Sequence, residues 1–444
     1  MSKKVFLKGT LILACTGLVS RIAGFFYRIF LSHAIGAEGL GLYQLILPLQ
    51  GLMAALSYTG IQSALSRLIA SRLALQEKKE AYFSLVTGIF AAVFFSAVTG
   101  FLLFRHADFF ASTILKAPGT SDLLRLTAAS IPLCAIHSCI DSYYYARKKA
   151  SVPAVVQLSE QSARIGTTYI LYLIFLSEGR PVTAMIAAGG SLAGEAAASL
   201  ISLLMVSFHF GNHPVKEKTS VKIFPLIKDL FTLSFPISLN RILLTLLGSI
   251  EAVLIPQMLI RCGMTSSEAL KIYGIFTGMA LPLLLFPSTL TTSAAVMLMP
   301  SVARMDALGD QKQIRHVTDQ TFFLCMFLGF LCGSGFFLFG PFLGTLLFHS
   351  KTAGTYIRYL SFICPFLYTN TMLTSILQGL GRPGRCLIHS AAGILIRIFS
   401  VVFMIPAIGI RGYFYGIFLG ELLLSLLHVK ALKFPYRQAG DNRL

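Results

Sequence analysis

Long apolar runs, separated by short polar and basic stretches, recur along the whole chain. Roughly 20 apolar residues wound as a helix cross a hydrocarbon core of ~30 Å, and run after run reaches that length. The pattern predicts about twelve helical spans, near residues 9–32, 40–66, 82–104, 123–146, 153–176, 182–208, 230–256, 271–300, 318–347, 355–380, 385–407 and 411–432. Ten-residue alternating strands, the mark of an outer-membrane barrel, are absent. The first run starts near Leu7 and continues to about Ser32 without a small-residue cleavage site, so no cleavable signal peptide is expected.

The connections between runs alternate in charge. One set contains Lys3, Lys4 and Lys8, then Arg72, Lys78 and Lys79, Arg147, Lys148 and Lys149, and four lysines from Lys216 to Lys228. It continues through Arg304, Lys312 and Arg315, Arg382 and Arg385, and the C-terminal group from Lys430 to Arg443. This set holds about 22 basic residues, against about seven in the other, and cytoplasmic loops hold the excess of Lys and Arg. Both termini are therefore expected in the cytoplasm, and the protein in the cell (plasma) membrane.

The two halves repeat. Residues 125–165 and 358–398 align without a gap at an offset of 233, matching Arg125 with Arg358, Pro132 with Pro365, Arg164 with Arg397 and Ile165 with Ile398. Elsewhere the offset shifts, with Ser20-Arg21 resembling Asn240-Arg241 and Ser71-Arg72 resembling Ala303-Arg304. An even repeat of six spans implies two lobes related by an axis along the membrane normal. The expected fold is thus an all-α membrane protein with two six-helix lobes around a central cavity. Residues 1–208 form the first lobe, 209–228 a basic cytoplasmic linker suited to the lipid surface, and 229–444 the second lobe.

Composition narrows the classes. With 55% hydrophobic and 12% charged residues, the chain cannot supply the polar surface of a soluble protein, which carries roughly 25% charged residues. The net charge of +19 reflects loop topology, not a nucleic-acid partner. Most of the eight cysteines lie in apolar runs and none forms a CxxC pair, so reduced core residues are expected. No HExxH, GxSxG or P-loop pattern occurs, and no acidic loop cluster suits a metal-assisted transferase. No catalytic residue, metal or cofactor is expected, and any driving energy would come from gradients.

Charges within the spans are expensive, which makes each a functional candidate. Arg21 and Arg28 lie seven residues apart, on one face of the first span and ~10 Å from each other along it. No acid accompanies them in that span. Further charges within the spans include Arg67, Asp141, Glu160, Arg164, Glu195, Arg241, Glu251, Arg397 and Glu421. Glu160 and Arg164, at i and i+4, are expected to pair. Arg397 has no acid four residues before it, so it pairs between helices or faces water. Arg67 has the alternative of snorkelling to the interface. Glu251, Asp141, Glu160, Arg164 and Arg397 remain open between coupling and ion pairing. Arginines on a cavity wall would suit an anion, since guanidinium binds phosphate oxygens in pairs and stays charged at any depth.

SRIAGFFYRIFLSHAIGAEGLGLYQLILP (20–48) resembles the first two spans of the polysaccharide flippase branch of the multidrug/oligosaccharidyl-lipid/polysaccharide exporter superfamily, in particular its stage V sporulation protein B-like group. Residues 143–166, 251–287, 373–383 and 410–423 are similar to later spans of that group. The resemblance implies alternating access between two lobes, with a lipid-linked saccharide as cargo and membrane lipids around it. Sugar-polymer synthesis enzymes are candidate partners. In related lipid II flippases, first-span arginines hold the pyrophosphate. Arg21 and Arg28 occupy that segment, with Arg241 as counterpart in the second half. Relatives often carry two further spans. Lipid II flippases also carry an arginine in the eighth span, which here reads TGMALPLLLFP. The alternatives are a cation-coupled multidrug exporter of the same fold, a membrane-embedded glycosyl- or phospho-transferase, and a scaffold without transport.

Overall fold

The computed structural model describes residues 3–212 and 223–433, with side chains of the first helix from Cys15 onward. Lys216, Lys218 and Lys222 of the expected linker, and Arg437 and Arg443 near the C-terminus, lie outside the described residues. The described elements are helical. Ten helices are long and apolar enough to cross a membrane. Lys3–Ala34 and Ser151–Ser177, of 32 and 27 residues, are also long enough at 1.5 Å per residue. The second of these is less apolar because Glu160, Gln161 and Arg164 crowd its first half. Counted together, the helices follow the expected spans in order, usually extending several residues past the apolar run.

Four expected spans are broken, the eleventh only near its end, at Met404 between Pro383–Phe403 and Ile405–Ile408. The second becomes Gly36–Ser57 and Thr59–Ala74, separated at Tyr58 (φ −126°, ψ −21°). The Ser57 hydroxyl there turns back to donate to the Met53 carbonyl at 2.7 Å. The eighth runs as Ser266–Gly274, a π-helical turn Ile275–Ala280, Leu281–Leu285 and Ser288–Ala307. Pro282 and Pro287 each remove a backbone donor there. The tenth is Lys351–Leu360, a tight turn Ser361–Ile363 and Cys364–Gly379, with Pro365 at the start of its last piece.

The chain packs as two compact units, residues 1–279 and 280–444. In the first, Leu65, Leu85, Ala92, Ala135, Ile140 and Tyr143 form a core between Thr59–Ala74, Lys78–Arg105 and Ser121–Ala146. Gly36–Ser57 crosses Ser266–Gly274 at backbone contact: a Cβ on Gly41 would overlap the Leu270 carbonyl, and one on Gly274 the Ala37 carbonyl. Beyond the crossing, the Ser267 hydroxyl donates to Glu38 at 2.6 Å. Arg72, near the end of Thr59–Ala74, bridges Glu80 of Lys78–Arg105 (2.7 Å), Asp229 of Ile223–Arg261 (3.0 Å) and Glu77 (3.1 Å). In the second unit, Tyr368 donates to the Leu284 carbonyl (2.8 Å) and Ser375 to the Ala295 carbonyl (2.5 Å). Both bonds tie Cys364–Gly379 to the eighth-span helices.

The backbone repeats as the sequence does. The described residues with positive φ are Gly36, Gln76, Lys116, Lys148 and Gly179, then Gly263, Gly309, His349, Gly381 and Gly409. Subtracting the first series from the second gives offsets of 227, 233, 233, 233 and 230. The hydrogen bonds match as well: Lys148 N–H donates to the Tyr145 carbonyl and Lys149 N–H to Tyr144, as Gly381 donates to Gln378 and Arg382 to Leu377. The constant 233 also moves the counterpart of Arg72 to Met305, one residue past the Arg304 that local similarity suggests.

Gly381 adopts its left-handed turn without steric cost, whereas Lys148 holds a Cβ there (φ 58°). An L-residue in that region costs roughly 1–2 kcal/mol, and glycine's extra unfolded-state freedom returns roughly 0.5–1 kcal/mol of this. Lys148→Gly should therefore raise stability by about 0.5 kcal/mol in detergent unfolding experiments, and Gly381→Lys should lower it. Equal melting behaviour for both variants would contradict this account of the turn.

Candidate functional site

The intramembrane charges divide into two sets. The first is a buried network in the first unit. Ser151–Ser177 brings Glu160 and Arg164 together as an i,i+4 ion pair, with Gln161 accepting from Arg164 at 3.2 Å. Arg164 also lies 3.5 Å from Glu195 on Met185–Asn212. The other Glu195 oxygen meets His137 Nε2 of Ser121–Ala146 at 2.9 Å, and His137 Nδ1 faces Asp141 at 3.8 Å. The Arg164 end connects to the first span. Thr168 donates to the Arg164 carbonyl and shares a 3.0 Å hydroxyl contact with Tyr27.

The second unit repeats the core of this arrangement. Arg397, on Pro383–Phe403, lies 3.5 Å from Glu421 on the last span. The other Glu421 oxygen accepts from Asn370 Nδ2 at 2.8 Å. Asn370 is the position 233 residues after His137, as Arg397 is after Arg164. In each copy, then, an arginine of the fifth span and a polar residue of the fourth clamp a glutamate of the sixth. Of the two outcomes open for Arg397, pairing between helices is the one observed. The sequence reading placed Glu195 and Glu421 in their spans but left them out of the candidate site, and it passed over His137 and Asn370. The repeat offset was an available clue to His137 and Asn370 only, since Glu195 and Glu421 lie 226 residues apart and position 428 is a histidine. Glu251 is buried with Tyr273 beside it.

The second set has no acid. Arg21, Arg67 and Arg241 are exposed and Arg28 is half-buried. Among the described residues none of the four makes an ion pair. Arg28 has the Tyr43 hydroxyl as its electrostatic neighbour, and Tyr43 in turn neighbours Arg164. A Cβ on Gly24 would lie 3.5 Å from Gln161 Nε2, so this strip of the first span is turned toward the fifth. Arg21, Gly24 and Arg28 share it by helical spacing.

A family model described as polysaccharide biosynthesis protein matches residues 6–306, more than half of the chain. The chain belongs to the polysaccharide biosynthesis protein family. Stage V sporulation protein B of Bacillus subtilis (strain 168) is 29% identical over 440 residues, covering 96% of this chain and 83% of that protein. Among solved structures, lipid II flippase MurJ in an inward closed conformation superposes with a TM-score of 0.72 at 13% identity, covering 96% of this chain and 88% of that one. An inward-facing multidrug resistance MATE family transporter of the MOP superfamily gives 0.68 at 16% identity, covering 95% and 99%. The all-α membrane fold expected from the sequence is thereby established, and this family member is a multi-pass membrane protein.

Proposed function

We propose that this chain flips a polyprenyl-pyrophosphate-linked saccharide, a polysaccharide or cell-wall precursor, from the inner to the outer leaflet of the cytoplasmic membrane by alternating access. Sugar and pyrophosphate would pass between the two repeats while the polyprenyl tail stays in lipid. One observation carries the reading: among the described residues, Arg21, Arg28 and Arg241 lack an acidic partner, whereas Arg164 and Arg397 have one. An unpaired guanidinium in hydrocarbon costs several kcal/mol. Water and a multiply charged phosphate remove that cost, and two parallel N–H···O bonds give the contact its geometry. The names of the relatives, a sporulation protein and a lipid II flippase, support a glycolipid of envelope or spore construction as the cargo class. The basic connections support cytoplasmic termini.

The likeness to a multidrug transporter favours a second reading, export of organic cations. Such a cargo would need accessible acids, while Asp141, Glu160, Glu195 and Glu421 are each engaged by a neighbouring side chain. Proteoliposomes loaded with a fluorescent polyprenyl-pyrophosphate oligosaccharide separate the two. Protein-dependent exposure of the label on the opposite leaflet is expected, with no uptake of a cationic dye. Dye transport without glycolipid movement would sink the proposal.

A further inference from the structure

The two glutamate clamps differ in what surrounds them. Cys134, His137 and Asp141 fall at i, i+3 and i+7 on one face of Ser121–Ala146. Their counterparts 233 residues on are Leu367, Asn370 and Thr374. The fold at this point therefore needs only the carboxylate, the arginine and one polar residue. The thiol, the imidazole and the extra carboxylate are additions of the first copy.

We propose that Cys134, His137 and Glu195 bind a divalent transition-metal ion of the zinc class. A ligand atom from each lies within 4.8 Å of the other two, and sulfur, imidazole nitrogen and carboxylate oxygen are the donors zinc takes. His137 Nε2 and Glu195 Oε2 are 2.9 Å apart. Around a tetrahedral ion with bonds of about 2.0–2.2 Å that separation is about 3.3 Å, so loading the site asks for a shift of a few tenths of an ångström.

The groups behind the ligands are placed to orient them. A metal on Nε2 puts the imidazole proton on Nδ1, which faces Asp141 at 3.8 Å. Neither His137 Nδ1 nor Asp141 Oδ1 has a hydrogen-bond partner among the described residues. A carboxylate behind a ligating histidine is the usual supporting arrangement. Arg164 lies by the opposite oxygen of Glu195 at 3.5 Å, leaving Oε2 to coordinate. A thiolate and a carboxylate cancel the charge of a divalent ion, so the loaded trio adds no net charge to the membrane interior. The Tyr58 hydroxyl lies beside Cys134 and Glu195. The ion would thus join the fourth and sixth spans next to the break in the second.

Full-length protein in detergent, stripped with chelator, would be titrated with Co²⁺, which stands in for zinc and reports thiolate ligation by near-ultraviolet charge transfer. One equivalent should bind with that band and be displaced by Zn²⁺. Cys134→Ser should abolish the band. His137→Asn, the residue used by the second copy, should lower affinity at least 100-fold. Asp141→Asn should lower it about 10–100-fold, and Cys386→Ser should change nothing. Stripped variants must melt as the stripped parent does; if Cys134→Ser fails to fold, His137→Asn carries the test. Absence of stoichiometric binding, a charge-transfer band that survives Cys134→Ser, or unchanged affinity in folded His137→Asn protein would overturn the assignment.

Discussion

Protein carrying Arg28→Ala should insert and fold like the parent yet flip a pyrophosphate-linked saccharide about 100-fold more slowly. Among the described residues Arg28 has no acidic partner to abandon, so its removal orphans no described buried carboxylate. What is lost is a pair of charge-assisted hydrogen bonds to the cargo. At about 1.5 kcal/mol each, the loss amounts to about 3 kcal/mol, close to two powers of ten in rate. Lys at this position should rescue only in part, because an ammonium is a point charge and cannot form the two parallel bonds. Flipping rates in proteoliposomes, normalised to folded protein by detergent gel filtration, would measure the effect. A variant with normal specific rate but little folded protein would assign Arg28 a packing role and remove the pyrophosphate argument.

The largest stability loss is expected at Glu421. Truncating one partner of a buried pair costs about 3–5 kcal/mol because the other charge stays behind. Glu421→Ala takes the carboxylate from Arg397 and the side-chain acceptor from Asn370 together. Glu195→Ala should cost less. Arg164 keeps Glu160 one turn back on its own helix, where the second copy has Gly393. Joint replacement of Glu421 by Leu and Arg397 by Met should recover most of the loss, since a well-packed apolar pair replaces two desolvated charges. Melting temperatures of the three variants decide the matter. Equal losses at Glu195 and Glu421 would refute the role given to Glu160.

The spans and the repeat could be read directly because both are written in local pattern. Apolar length marks a span, and Pro132 with Pro365 and Arg164 with Arg397 give the register that the turns at Lys148 and Gly381 confirm. None of the breaks was expected: those near Pro282, Pro287 and Pro365 lie at prolines inside runs that length alone marks as continuous, and the one at Tyr58 falls in SYTG, which carries no proline. The Glu160–Arg164 pair was visible because helical spacing alone brings its members together. The clamps on Glu195 and Glu421 were not. His137 and Glu195 are 58 residues apart, and only the packing of separate helices makes them neighbours.

The polar load on Ser151–Ser177 bears on how the chain enters the bilayer during synthesis. On the translocon scale an arginine at mid-helix costs about 2.5–3.5 kcal/mol, and this segment carries Arg164 with Glu160 and Gln161 close by. As it leaves the ribosome, its only adjacent counter-charge is Glu160. Met185–Asn212, which brings Glu195 to Arg164, is made next. The fifth span is therefore expected to partition into lipid jointly with the sixth, its lateral release waiting on the sixth span's arrival. Its counterpart Pro383–Phe403 carries Arg397 but Gly393 in place of Glu160, is apolar enough by itself, and can be released as soon as it is made.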